Sequence, residues 1–556
     1  MAKIFFLIIF IFSSCIYSQT FYIDHDIKQI SITSDGQFHT VHYNGKLDLS
    51  SLDKVEGQPQ LPVYLYKISL NENESIESFR IDKIKEQKLD GKYNIKIQQP
   101  LWRQDLEEKL PITGKTDQIN FPQQLIEYTG TSSFNGYPIA HFAVHPFRYE
   151  RDTGNLYFIE QIQFTINSGQ VRSGSVKPNE KFRSGNEKLL SLAKSGQVNK
   201  ISALSEAASG SSVDDSGIPL RYYSAGLVDR YIIITTEELA PAFASLAEWK
   251  TKKGVPTIIR TLDWIRSNFP DGLDDADCIR NYIRWSYKNR GTKYIMLGGD
   301  TELIPSRIIT TGGFTFPADY YFADLDGNWN ADQDDTFGEA VDHLDGYPEV
   351  YVSRIPVQTQ VQVSRFVSRL FQYEKLINID NPDFPANVLY MAANLNKEND
   401  SRDLIMNYID PQINGDFQRT LLTQSEDIGN DPAPALNALN NSPAIIFTEN
   451  HGLYHTIRTG GRGSNIYAYQ VGRLTNHDPG IWYVASCYTN DIVKRSFSEM
   501  YLLAENGGGV AYIGNSSYEY PFSGIQLKKE FFLISFSEVI YNFSVAHYLY
   551  RLPFLG

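Results

Sequence analysis

Two rhythms of apolar residues divide the chain. Between Thr20 and Ser168 apolar and polar positions alternate, as in Phe38–Tyr43, Leu61–Tyr66, Tyr93–Ile97 and Leu156–Phe164. A period of two is the repeat at which a strand returns side chains to one face. Asn44-Gly45, Asp90-Gly91 and Asn135-Gly136 punctuate these runs, and such pairs tolerate the positive φ that tight hairpin turns need. The pattern predicts an antiparallel, all-β, sandwich-like domain over residues 19–168. Its histidines (His25, His39, His42, His141 and His145) are spread along the strands and read as packing residues.

From Tyr222 the rhythm becomes strand, helix, strand. Continuous apolar runs at Tyr231–Thr235, Thr257–Thr261, Tyr294–Asp300, Glu349–Arg354, Asn387–Ala392, Pro443–Thr448, Gly480–Ala485 and Gly509–Ile513 predict buried strands. Amphipathic stretches at Leu239–Lys253, Asp274–Asn289 and Thr359–Leu376 predict helices among them. Strands without alternation, interleaved with helices, imply a mostly parallel sheet covered on both faces. The predicted α/β domain spans 222–556, and ligands of such sheets bind at the carboxyl ends of the strands.

Two further segments fit neither rhythm. Met1-Ala2-Lys3, an apolar run from Ile4 to Phe12 and small residues up to Ser18 read as a secretory signal over 1–18, since nine apolar residues are too few to span a bilayer. Lipidation of Cys15 is the rival reading of that start. Residues 169–221 are rich in Ser, Gly, Lys and Asn, with Arg172, Lys177, Lys181 and Arg183 among them. Such a stretch buries too little to fold alone and reads as a flexible linker with processing sites.

Composition narrows the classes. The 556 residues are 42% hydrophobic, which excludes disorder as a class. At about 150 residues per domain the length suggests three or four units, and the two rhythms reduce this to a β domain, a linker and one large α/β domain. The net charge is -14, a poor match for a nucleic-acid backbone. Tyr and Phe (35 and 32) far outnumber Trp and Met (6 and 5), which suits a β-rich exported chain. No segment after the signal reaches eighteen apolar residues, so no membrane span is predicted. Three cysteines exclude a disulfide framework. Cys278 falls in a predicted helix as a structural residue; it pairs with Cys487, or one thiol is kept free.

Two strand ends carry candidate chemistry. Ala444–Thr448 runs into Glu449-Asn450-His451-Gly452, and Ile481–Ala485 into Ser486-Cys487, with histidine and cysteine 36 residues apart. Either residue alone is ordinary: a cysteine after a strand is usually a small buried residue, and His-Gly is usually a turn. Placed together on neighbouring parallel strands, a thiol beside an imidazole can lose its proton, attack a carbonyl and have its leaving group protonated. The N–H groups of Gly452 and Cys487 can form an oxyanion hole. His455 and His477 lie in polar loop sequence and are weaker bases.

These residues resemble the gingipain-type cysteine peptidases, relatives of caspases and legumain. Tyr294–Pro305, with its Gly-Asp end and Ile-Pro turn, is similar to a strand of that family. So are Glu349–Pro356, with its Glu-Val-x-x-x-Arg pattern, and the Gly-rich Glu505–Gly514. The resemblance covers about Tyr222 to Tyr520, and Gly57–Pro62 resembles the family's propeptide. It implies a caspase-like α/β catalytic domain behind an inhibitory β propeptide, cut near the basic linker or Arg221. It implies a secreted or cell-surface endopeptidase acting on protein or peptide substrates, with His451 as general base and Cys487 as nucleophile. The family's orienting carboxylate has no acid at the matching offset here, which leaves Asn394, Glu398 or a dyad. Asp403 sits near the place of the acid that selects a basic P1 residue, so an Arg/Lys preference follows, with Tyr518 or Tyr520 walling that pocket. Family relatives also include a sortase-like transpeptidase of the type IX secretion machinery, which is an alternative reading. A non-catalytic surface binding protein on the same scaffold is another. Exported relatives carry further C-terminal β-sandwiches that find no room before Gly556, so the resemblance implies a catalytic domain truncated at that end.

Catalysis of this kind needs no cofactor. Separately, Asp324, Asp326, Asn328, Asn330, Asp332 and Asp334 place oxygens at alternate positions of one loop. Hard cations use such spacing, and a structural calcium is expected, although Asp335 stands where an EF-hand carries its bidentate glutamate.

Overall fold

The computed structural model describes residues 17–43, 57–71, 74–97, 120–134, 137–170, 228–311, 313–342, 344, 347–377, 379–380, 382–395, 400–423, 431–459 and 465–536. The expected signal up to residue 16, the linker from residue 171, Glu398, and the Asn44-Gly45 and Asn135-Gly136 turns lie outside the described residues. Among the described residues no helix is long and apolar enough to cross a membrane.

The N-terminal domain is antiparallel. Its longest strand, Asn155–Gln170, pairs with Tyr17–Asp24, with Glu74–Lys88 and with Phe147–Glu150. A three-stranded sheet of Tyr64–Ser69, Tyr137–Val144 and Ile126–Phe134 lies apart from it. One apolar cluster joins residues of both sheets, including Ile23, Ile162 and Phe164 from the first and Tyr64, Ile126 and Phe142 from the second.

Three local expectations change. Tyr17 and Ser18, assigned to the signal, belong to the first strand. Tyr93–Ile97 is not a strand: Ile95 and Ile97 make only isolated bridges to His39 and Pro59. Glu74–Lys88 is a strand that the alternation hides, because three register shifts along its pairing break the period of two.

The α/β half holds two parallel sheets rather than the one expected. In the first the order is Thr257–Thr261, Tyr231–Thr235, Tyr294–Gly298, Tyr351–Ile355. In the second it is Gln418–Thr423, Asn387–Ala392, Ile445–Glu449, Gly480–Ala485, Gly509–Gly514. Every pairing in both is parallel. A single cluster containing Ile233, Phe243, Phe366, Leu389 and Trp482 joins the two sheets and the helices between them. The antiparallel hairpin Arg307–Thr311/Phe314–Ala318 was not expected from the sequence.

The helices begin where their caps are. Thr359 and Gln362 form a reciprocal capping box on Gln360–Lys375. Asp274 accepts the Asp277 N–H at 2.9 Å to start Asp275–Arg290, which Gly291 closes at φ 70°. Cys278, inside that helix, and Cys487 are both buried thiols, so the two do not pair in a disulfide.

Asp274 also takes both arms of Arg307, at 2.7 and 2.8 Å. Partial burial pushes its carboxyl up, but Arg307 and the Asp277 amide outweigh that and hold it below the usual 3.8. Its contribution is therefore fully present above that ordinary value and is lost as pH falls through the lowered one. Asp274→Ala is expected to cost about 2 kcal/mol at pH 7, with the gap to wild type narrowing in acid. Denaturant melts at pH 7 and pH 3 that show the same gap would rule this out.

Candidate active site

The strand ending at Glu449 and the strand ending at Ala485 are neighbours, paired from Ile445↔Ile481 to Glu449↔Ala485. The sequence spacing of 36 residues equals the register offset, so His451 and Cys487 each stand two residues past the last rung. Parallel pairing sends both to one edge of the sheet, as expected from the motifs. The exits are tied together: Asn450 N–H donates to the Ala485 carbonyl (3.3 Å), and Ser486 Oγ donates to the Asn450 carbonyl (2.5 Å). Trp482 Nε1 donates to Thr448 Oγ1 across the same pair of strands, at 2.8 Å.

Cys487 is 1% exposed, and its Sγ accepts the main-chain N–H of Glu519 at 3.3 Å. An N–H aimed at sulfur favours the thiolate over the thiol. Tyr488, the next residue, is held at φ 58°, a conformation that costs a non-glycine residue about 1 kcal/mol or more. Its N–H bonds to the Ser517 carbonyl at 2.8 Å, and its ring packs edge-on against Tyr518 with centroids 4.9 Å apart. Tyr518 also meets Phe314 of the hairpin Arg307–Thr311/Phe314–Ala318, again at 4.9 Å.

His451 places Nε2 2.6 Å from the Leu395 carbonyl. Leu395 follows the strand Asn387–Ala392, at the place where a carboxylate was sought. Asn394 stands one residue earlier, in a bridge with Asp400. A main-chain acceptor cannot be found from residue types, which is why sequence reasoning missed it.

Gly452 opens a two-residue strand that pairs with Thr456–Arg458. Arg458 N–H donates to the His451 carbonyl (2.8 Å), so Gly452 and Ile457 form a pair that exchanges no hydrogen bonds. The Gly452 N–H is thus not spent within the hairpin. A Cβ at Gly452 would fall 2.8 Å from Ser486 Cβ and 2.9 Å from Thr489 Cγ2.

Of the other candidates, Asp403 is exposed on the short helix Ser401–Leu404, while Tyr518 belongs to the aromatic column beside Cys487. Tyr520 precedes the helix Pro521–Phe536 and accepts the Gly524 N–H at 2.8 Å. His477 sits against Asp478 (2.8 Å) and Asp380, and His455 lies between the Tyr454 and Tyr467 rings.

The acidic loop divides where one site was expected. Asp324 and Asp326 gather with Glu349, their ligand oxygens within 4.8 Å of one another, and Asp332 and Asp334 gather separately with Glu339. Asn328 and Asn330 cap local turns, accepting the N–H groups of Asn330 and Asp334. In the first group the Oδ2 atoms of Asp324 and Asp326 are buried without a hydrogen-bond partner. Burial, then the neighbouring Asp326, pushes the Asp324 carboxyl up to about 7. Nearby Arg280 is spent on the carbonyls of Tyr321, Asp324 and Gly327.

The N-terminal domain touches this same loop. Lys67 Nζ donates to Tyr347 Oη at 2.6 Å, the His141 ring packs on Tyr347, and Ser133 lies beside Asp326, lowering its carboxyl against the burial that raises it. Burial brings the Lys67 ammonium down to about 7. His141, pushed down to about 3 by burial and by Lys67, is neutral and meets Ser132 Oγ at 2.6 Å.

The family model of peptidase family C25 matches residues 226–549, more than half of the chain. Among solved structures, a complex of the Porphyromonas gingivalis RgpB pro- and mature domains aligns at 19% identity and a TM-score of 0.44, covering 56% of this chain and 69% of that one. The Arg-specific cysteine proteinase gingipain R aligns at 18% identity and 0.47, covering 59% and 73%. Dimeric latent PorU from Porphyromonas gingivalis aligns at 12% and 0.21, covering 64% and 29%. No curated protein sequence matches the chain.

Gly452→Ala is expected to destabilise the fold by about 1–3 kcal/mol and to change the rate at which iodoacetamide labels Cys487. Unaltered melting and unaltered labelling would show that the close approach is not a constraint.

Proposed function

The chain belongs to peptidase family C25, whose members are cysteine-type peptidases, and on that premise we propose a secreted or cell-surface endopeptidase made as a zymogen, with Cys487 as nucleophile and His451 as base. The observation that carries this reading is the in-register pairing that delivers both residues to one sheet edge. With Nε2–H donated to the Leu395 carbonyl, the basic lone pair falls on Nδ1. His451 then takes the thiol proton, and sulfur attacks the substrate carbonyl. The oxyanion is held by the N–H groups of Gly452 and Cys487. The imidazolium returns its proton to the leaving amine, and water, activated by the same imidazole, releases the acid from the thioester. The carbonyl of Leu395 takes the orienting part for which Asn394 and Glu398 were candidates. An Arg/Lys preference at P1 through Asp403, with Tyr518 or Tyr520 as pocket wall, belongs to this proposal.

The N-terminal domain is the proposed inhibitory partner, cut off in the linker, and its contacts through Lys67, His141 and Ser133 support a built-in docking surface. A structural calcium on Asp324, Asp326 and Glu349 is likewise proposed. Two unpartnered buried carboxylate oxygens fit a hard cation, which takes oxygen ligands and cancels their mutual repulsion.

Cys487→Ala and His451→Ala should each lower kcat/KM on peptides by at least about 10³-fold. A basic-P1 member of a positional-scanning substrate library should be cleaved best. Full turnover by purified Cys487→Ala protein would falsify the assignment. EDTA should lower Tm, with calcium restoring it. Asp324→Asn should start from the lowered Tm and respond to neither; a wild type indifferent to EDTA would remove calcium from the account.

A further inference from the structure

Behind Cys487 runs a buried carboxylate–ammonium–carboxylate chain that the proposed chemistry leaves unused. Lys528, on the helix Pro521–Phe536, is 2% exposed. Its Nζ lies 2.7 and 2.9 Å from the two oxygens of Glu449 and 2.8 Å from Glu519 Oε1. Glu449 is fully buried and forms the last rung of the histidine strand, two residues before His451. Glu519 is the residue whose amide points at Cys487 Sγ. Asn515 closes the chain, donating its side-chain amide to Glu519 and to the Ser486 carbonyl, the latter at 3.3 Å.

Stability alone is a poor account of this arrangement. Taking three ionisable groups out of water costs more than a single ammonium repays, and apolar residues of similar volume serve a core at least as well. The surroundings are otherwise apolar: Ile525, Phe531 and Phe532 of the same helix pack on Phe447 and Tyr483. Burial raises the Glu449 carboxyl and Lys528 opposes that rise, while Glu449 and Glu519 hold the Lys528 ammonium above its ordinary value despite burial. What the chain supplies is fixed geometry. A single ammonium grips the root of the histidine loop with one carboxylate and the segment facing the sulfur with the other.

We propose that Lys528 is a positioning residue for the nucleophile, locking the Glu519 amide onto Cys487 Sγ and the histidine strand into the same frame. The inference rests on the reading of Cys487 as nucleophile. Releasing the lock lets the 515–519 segment drift, so the thiolate loses its N–H donor and a smaller share of the enzyme carries the reactive form. Tyr518 of the same segment belongs to the wall beside Cys487, so substrate binding also responds, and the alkylation midpoint, which needs no substrate, isolates the effect on the thiol.

The test compares the processed wild type with Lys528→Met, Glu519→Gln and Cys487→Ala. Two readouts are taken: steady-state peptide cleavage, and the pH profile of iodoacetamide inactivation. For Lys528→Met, kcat is expected to fall at least about 10-fold, and the alkylation midpoint to move to higher pH. Glu519→Gln keeps the main-chain donor and the Asn515 partner while loosening the Lys528 grip, and should shift the midpoint the same way by less. A folded Lys528→Met protein with the wild-type midpoint and kcat overturns the proposal. If that variant does not fold, an unshifted midpoint in Glu519→Gln overturns it instead. Cleavage by Cys487→Ala would remove the underlying reading of the nucleophile, an outcome distinct from either.

Discussion

The site depends on the register between two neighbouring parallel strands. Because Ile445–Glu449 and Gly480–Ala485 pair with a constant offset, any residue beyond one strand has a counterpart at the same height beyond the other. A slip of one residue would displace the loops by about 3.3 Å, more than proton transfer tolerates. The register is secured at several depths. Apolar side chains lock it in the core, Trp482 and Thr448 tie it near the end, and Ser486 binds the Asn450 carbonyl just past it. Lys528 fixes the last buried rung from behind.

Much of this was legible in the sequence, and the reasons differ by region. Strands buried on both faces read as unbroken apolar runs, so Tyr231–Thr235, Asn387–Ala392 and Gly480–Ala485 have the bounds their composition predicts. Helix starts were legible because Thr359 and Asp274 are capping residues. The edge strand Gln418–Thr423, half exposed and partly polar, gave no such signal, and neither did the bulged Glu74–Lys88. His451 and Cys487 could be found because each directly follows an apolar strand. Their supports could not. The Leu395 acceptor is main chain, and Lys528 meets Glu449 across 79 residues. An acid ending an otherwise apolar run, as Glu449 does, was the one available hint that a buried cation stood opposite. The acidic loop misled for a related reason: alternate spacing suggested one ring of ligands, whereas the fold recruits Glu349 from just before the strand Tyr351–Ile355 and sends Asp332 and Asp334 elsewhere.

The loop from Asp319 to Glu349 is a meeting point of otherwise separate features. It carries the acidic trio, and Tyr347 and Asp326 within it receive Lys67 and Ser133 from the N-terminal domain. Its flank is tied to the first parallel sheet, where Arg354 holds both oxygens of Asp319 at 2.7 and 2.8 Å. Charge is therefore concentrated where the two halves of the chain touch, as it is behind the paired strand ends, where Lys528 meets Glu449 and Glu519.

The aromatic column of Phe314, Tyr518 and Tyr488 joins the antiparallel hairpin to the segment around Cys487. None of the proposed reacting groups comes from that hairpin, yet it lends a ring to the wall next to the cysteine. The proposed reacting groups and part of that wall thus come from different stretches of one packed chain. A change of side chain at Phe314 would therefore reshape the wall beside Cys487 while leaving the register of the two paired strands untouched.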